Sequence, residues 1–289
     1  TEIATPVTDE LGNQIMEGNE PLFGPAGTYG LITIVSGLVW GLGYFGMPQV
    51  LIRFMSVRHS SDIKKSRIIA MIWLFVSLSS AVCIGLIGRA VIPTAFATQA
   101  AAESVFIVLS QMLLPSFFCG LVVSGIFAAA MSSSSSYLLI SGSAVANNIY
   151  KGLFRRNATD REVMIVARIT LVCVLLFGIF ISLDQNSSIF NIVSYAWAGF
   201  GASFGPLMLL SLYWRRTTMQ GAAAGMVAGA LTVVAWKNLI APLGGWFAIY
   251  ELAPGFLVSL LVIVVVSLLT KEPSEEVLHE FDTYMDADV

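Results

Sequence analysis

Apolar positions in this chain come in long blocks, not in stripes. Residues 21–52, 68–88, 104–150, 185–214, 217–236 and 252–270 contain no Asp, Glu, Lys or Arg, and a seventh block, 162–183, opens on Glu162 and is then interrupted only by Arg168. About 20 apolar residues cross a bilayer as a helix, so the pattern predicts seven transmembrane helices. Within the third block five serines stand in a row, Ser132 to Ser136. A hydroxyl without a partner is costly in hydrocarbon, so that run must face other helices, water or a bound ligand.

Composition agrees with the block pattern. Of the residues 56% are hydrophobic and 11% charged, against about 25% charged in soluble domains, and the mean hydropathy is +0.81. Twelve of the 15 basic residues fall on one side of the predicted spans. They are Arg53, Arg58, Lys64, Lys65 and Arg67 after the first, Lys151, Arg155, Arg156 and Arg161 after the third, Arg215 and Arg216 after the fifth, and Lys271 after the seventh. That side is therefore cytoplasmic, and the N-terminus is outside. The tail 271–289 carries seven acids after Lys271 and reads as a solvated cytoplasmic segment. The outside N-terminus, without an initiating Met or a signal-like start, leads to the expectation that something precedes residue 1. Cys83, Cys119 and Cys173 are far apart in apolar spans and read as small packing residues. No zinc, phosphate-loop or nucleophile-elbow spacing occurs, and a net charge of −3 speaks against a nucleic-acid partner.

The first span contains W-G-L-G-Y-F-G-M-P over residues 40–48, with Gly41, Gly43, Gly46 and Pro48 close together. Glycine loosens the backbone and proline removes a hydrogen bond, so this helix is expected to break. Broken membrane helices are tolerated where they line a cavity, and in transporters they mark the substrate site. Trp40, Tyr44 and Met47, at i, i+4 and i+7, share a face if the helix persists. They are either an aromatic packing seam or the wall of a substrate cavity. The fifth span, with Gly199, Gly201, Gly205 and Pro206, is expected to be a second interrupted helix, either a flexible gate at Gly199 and Gly201 or a kinked packing helix.

On the serine helix Ala129, Ser132, Ser133 and Ser136 lie at i, i+3, i+4 and i+7, forming one face. Two hydroxyls and a backbone carbonyl converging there suit a hard monovalent cation such as sodium, which prefers oxygen ligands. The alternative is that small residues let helices approach, their hydroxyls bonding one turn back or across helices. Ser134, Ser135, Ser141 and Ser143 are assigned to that packing role.

Three stretches resemble the sodium/solute symporter family, most closely its sodium/proline symporters. They are W-G-L-G-Y-F-G-M-P-Q-V-L-I-R-F-M over 40–55, A-A-A-M-S-S-S-S-S over 128–136 and S-L-Y-W-R-R-T-T-M-Q-G-A-A-A-G-M-V-A-G over 211–229. The similarity runs from about residue 30 to 269. It implies an all-α membrane protein with a core of ten helices in two inverted five-helix repeats. This chain matches the second repeat followed by two further helices. The resulting divisions are an extracellular loop (1–26), the second repeat (27–216), two additional transmembrane helices (217–270) and the acidic tail (271–289). The N-terminal half of the same protein is then the expected partner, beside the lipid bilayer.

Carried over position by position, the resemblance implies sodium ligands at Ala129, Ser132 and Ser133, the last standing where the subgroup commonly has Thr. It implies a substrate region at Trp40, Tyr44 and Pro48, and a functionally sensitive Arg53 at its inner end. Met47 stands where a Gln is common. The implied function is sodium-driven uptake of proline or a similar small solute in a bacterial-type inner (plasma) membrane, without enzymatic activity. Rival readings are a symporter of the same family for another amino acid, a carboxylate or a vitamin, and a membrane sensor built on a transporter-like domain.

Overall fold

The computed structural model describes residues 2–3, 7, 15–17, 20–22, 27–28, 30–92, 99–183 and 188–286. The expected outer loop, 1–26, lies largely outside these residues; of it only short antiparallel ladders are described, Glu2–Ile3 with Gly27–Thr28 and Met16–Glu17 with Glu20–Pro21. The other regular elements are helices. In chain order the helices are α1 (Leu31–Val39), a 3-10 segment (Trp40–Gly46), α2 (Pro48–Met55), α3 (Ser60–Val91), α4 (Gln99–Ala102), α5 (Val105–Leu113), α6 (Ser116–Ser143), α7 (Asp160–Ser182), α8 (Ile189–Tyr213), α9 (Met219–Ala235), α10 (Leu252–Leu269) and α11 (Glu275–Asp286). Wider π turns extend α6 over Ala144–Phe154 and α9 over Trp236–Ile240.

Six of these helices are long and apolar enough to cross a membrane, and the bent pair at the start makes a seventh span if counted as one. Seven blocks in the sequence thus become six continuous helical spans and one broken one. The third block differs in detail. It does not form a single helix, because Pro115, with no N–H to give, stops α5 and caps α6. A capping box on Thr159 and Glu162 opens α7, and the Thr218 hydroxyl, accepting from the Gly221 N–H at 3.1 Å, opens α9.

The chain divides into two compact units, 1–79 with 190–289, and 80–189. In the first, the core is Ala198, Ala202, Val233, Leu252 and Phe256, from α8, α9 and α10. The α9–α10 pair is close because Gly221, Gly225 and Gly229 form a small-xxx-small row on α9. Added Cβ atoms at Gly221 and Gly225 would come within 2.9 Å of the Ile263 carbonyl and 3.0 Å of the Ser259 carbonyl.

In the second unit α6 and α7 pack through Gly142, where a Cβ would lie 3.1 Å from a Leu171 methyl. Elsewhere α7 turns its large apolar side chains outward, Phe177 and Phe180 among them, as α3 does with Met71, Trp73 and Phe75 in the first unit. For helices this apolar, lipid is the matching surroundings.

Two expectations are corrected in the first unit. Helix α8 runs unbroken through Gly199, Gly201, Gly205 and Pro206, and Gly201 and Gly205 serve close packing, against Gly43 and Phe256. The acidic tail, expected to be solvated, folds as α11 and returns to the basic loop before α9. Arg215 donates twice to Asp282, at 2.9 and 2.7 Å, and Arg216 pairs with Glu272. The Asp282 hydrogen bond and charge hold the Arg215 guanidinium above its usual pKa. Tail and loop are complementary in charge although far apart in sequence.

Candidate functional site

The predicted break is present. Leu31–Gly46 and Pro48–Met55 meet at 48°, with Met47 extended (φ −81°, ψ 114°), as a residue before proline prefers. Because residues 40–46 wind as a 3-10 helix, positions three apart line up. Trp40, Gly43 and Gly46 therefore share one line, and Tyr44 falls on another. The common face expected for Trp40, Tyr44 and Met47 assumed 3.6 residues per turn and is not formed.

The line of Trp40, Gly43 and Gly46 packs on α8. A Cβ on Gly43 would run into the Trp197 indole, and one on Gly46 would lie 2.8 Å from Gly205 N and 2.9 Å from Gly201 Cα. Only glycine admits this approach. Trp197 in turn donates its indole N–H to the Trp40 carbonyl oxygen at 3.0 Å, supplying a donor to the loosened backbone. The Trp40 ring stacks on Phe190, Trp197 and Tyr250 with centroids 5.5–5.8 Å apart. Tyr44 meets Trp197 edge-on at 4.8 Å and is 42% exposed.

Beside this stack lies a cavity of about 1040 Å³, whose wall includes Ser36, Trp40, Lys237, Trp246, Tyr250 and Glu251. Of the three residues expected in a substrate region, only Trp40 lines it; Tyr44 and Pro48 do not. Tyr250 is fixed at both ends, its N–H donating to Ser36 Oγ (3.0 Å) and its hydroxyl to the Ser194 carbonyl (2.6 Å). Burial, and then the adjacent Glu251 carboxylate, raise the phenol's pKa above its ordinary range, so it remains a donor. Sequence reasoning missed Lys237, Tyr250 and Glu251. The available signal was a single acid, Glu251, between the aromatic stretch W-F-A-I-Y and a fully apolar span.

The cation candidates lie on α6 in the second unit. Ala129, Ser132 and Ser133 are all exposed on the helix surface. The Ser135 and Ser136 hydroxyls both bond back to the Ser132 carbonyl, at 3.0 and 3.1 Å. Among the described residues the hydroxyls of Ser132 and Ser133 donate no such bond. Arg53 is in the last turn of α2 and exposed. The two gating candidates differ. A Cβ on Gly201 would lie 2.7 Å from Gly43 Cα, whereas one on Gly199 would meet nothing within 4 Å. Among the described residues no group of three or more His, Cys, Asp or Glu is gathered as a metal cluster.

Residues 25–229 match the model of the sodium:solute symporter family. The chain is 41% identical over 268 residues to the sodium/proline symporter of Haemophilus influenzae, covering 90% of this chain and 52% of that protein. It is 42% identical over 256 residues to the high-affinity proline transporter PutP of Bacillus subtilis, covering 89% and 53%. With the sodium/proline symporter of Escherichia coli the identity is 41% over 254 residues, covering 86% and 50%. The chain thus spans about half the length of the curated relatives it matches. With its apolar helices of spanning length, it is an integral membrane protein of the bacterial plasma membrane.

Proposed function

The chain belongs to the sodium:solute symporter family, and we propose that it forms the second half of a sodium-coupled transporter that takes up L-proline by alternating access. In this reading 27–216 is the second five-helix repeat, 217–270 adds two helices, 1–26 is an outer loop and 271–289 a cytoplasmic tail. Sodium is a co-transported substrate, bound by the Ser132 and Ser133 hydroxyls and the Ala129 carbonyl, with further ligands from outside these residues.

The observation that carries the ion site is the division within the serine run. Ser135 and Ser136 satisfy their hydroxyls one turn back, whereas Ser132, Ser133 and Ser134 do not, and of these three Ser132 and Ser133 share one helix face with Ala129. A hydroxyl held by the helix has a weaker claim on an ion than one that is not. The broken span supports the substrate region at Trp40, Tyr44 and Pro48, where an apolar ring would lie against aromatic side chains. Arg53 would anchor its inner end, and Gly199 and Gly201 would allow α8 to move against it. Coupling requires sodium to bind the outward-open state better than the inward-open one, since equal affinity shifts nothing.

The test is proline uptake by the full-length transporter containing this chain, in proteoliposomes under an imposed sodium gradient. Ser132→Ala and Ser133→Ala are each expected to raise the half-saturating sodium concentration by roughly tenfold or more, the worth of one ligand to a charged group. An unchanged sodium requirement overturns the ion site. Competition by other amino acids, carboxylates and vitamins decides the substrate.

A further inference from the structure

The cavity beside Trp40 holds a charge pair that neither the sodium site nor the substrate region uses. Lys237 and Glu251 lie between α9 and α10, at the end opposite Arg215 and Arg216, which makes this the outer end. Glu251 is 3% exposed, and its Oε1 is sealed from solvent without a hydrogen bond. The Lys237 ammonium sits 3.6 Å from that oxygen, near enough for Coulomb attraction but beyond good hydrogen-bond distance. Lys237 itself is half exposed and lines the cavity.

A carboxylate in this state has given up water and recovered little for it. A ligand carrying an ammonium and a carboxylate on one carbon atom would turn the one loose pair into two charge-assisted hydrogen bonds. Its ammonium would donate to Glu251 and its carboxylate accept from Lys237. The site and the ligand are each neutral, so no net charge is buried. A simple amine or a simple acid would leave one member of the pair without a partner, which is the costly outcome. The rings of Trp40, Trp246 and Tyr250 offer an apolar wall for the ligand's carbon skeleton.

We propose that this cavity is an external binding site for a zwitterionic amino acid, held between Lys237 and Glu251 on its way to the transport site. The inference rests on the amino-acid transport reading above. At about 1040 Å³ the space is at the upper end for small-molecule sites, which suits a vestibule more than an occluded pocket. Trp40 joins the two regions, since it lines the cavity and stands at the start of the broken segment.

Binding of radiolabelled L-proline to the purified full-length transporter in sodium-free choline buffer tests this. The parent protein is expected to bind proline without sodium. Lys237→Gln and Glu251→Gln should each weaken that binding about tenfold or more, as for one partner removed from a buried charge pair. The double reversal Lys237→Glu with Glu251→Lys should recover it, because a zwitterion can turn round. Pyrrolidine and cyclopentanecarboxylate, each carrying one of the two charges, should not displace the label. No sodium-free binding by the parent, binding indifferent to both neutral variants, or a double reversal that recovers nothing would each overturn the proposal. Sodium-driven uptake by the same preparation separates the two readings: uptake present with sodium-free binding absent removes only the vestibule, and uptake that ignores the sodium gradient removes the symport reading itself.

Discussion

The 3-10 segment of the first unit and the serine face of the second present their chemistry in opposite ways. Along residues 40–46 the line that faces α8 is committed to its neighbours: Gly43 lies under Trp197, Gly46 against the α8 backbone, and Trp40 in a stack of rings. On α6 the notable side chains are exposed, and of the five serine hydroxyls only those of Ser135 and Ser136 make a hydrogen bond among the described residues. Packing thus leaves no room for an added methyl at Gly43 or Gly46, and a functional role there must be compatible with that packing. The serine face is constrained only by its helix, so its role depends on which hydroxyls the helix has already taken. A substitution in the first region should register as stability, and one in the second as ion dependence.

Gly46→Ala is the strongest way to break that contrast. The added methyl would meet backbone atoms, the Phe200 carbonyl, Gly205 N and Gly201 Cα, none of which can rotate aside. Overpacking of this kind costs up to about 3 kcal/mol. Thermal unfolding in detergent should show a large loss for Gly46→Ala and almost none for Gly199→Ala, whose methyl meets open space. Equal midpoints for the two variants would mean that the glycines serve movement and not contact.

Trp197→Phe should act more mildly. It keeps a ring in the stack but removes the N–H that reaches the Trp40 carbonyl at 3.0 Å, worth about 1 kcal/mol as one neutral hydrogen bond. The same unfolding measurement checks it, and sodium dependence should stay as in the parent. A shift in sodium requirement without a loss of stability would place Trp197 in the ion chemistry instead.

The break at Met47 was legible because glycine and proline act locally, on their own backbone. The same residues misled in α8. Gly201 and Gly205 are there because another helix passes close by, and the partner, residues 42–46, is more than 150 positions away in the sequence. The docking of the tail was hidden for the same reason. Its acids read as solvated until Arg215 and Arg216 are seen beside Asp282 and Glu272. Tyr44 was misplaced by period alone, since four residues make a full turn of α-helix but overshoot a turn of 3-10 helix by about 120°. The seven apolar blocks, set by bilayer thickness, were the most legible feature, and Lys237 with Glu251 the least, because burial and pairing across a loop leave no periodic trace.

Ser135→Ala is the smallest change and the sharpest test of the serine face. Ser135 stands two residues beyond Ser133, about 200° round the helix, and its hydroxyl already donates to the Ser132 carbonyl at 3.0 Å. Such back-bonding adds little to a helix, and alanine is the better helix former, so stability should hold or rise by a few tenths of a kcal/mol. The half-saturating sodium concentration should move by less than about twofold, which is about 0.4 kcal/mol, against the roughly tenfold expected for Ser133→Ala. Sodium titration of uptake in both variants measures the difference. Should Ser135→Ala raise the sodium requirement as much as Ser133→Ala, the ion would lie against the other side of α6, and the division of the five serines into ligands and packing residues would have to be reversed.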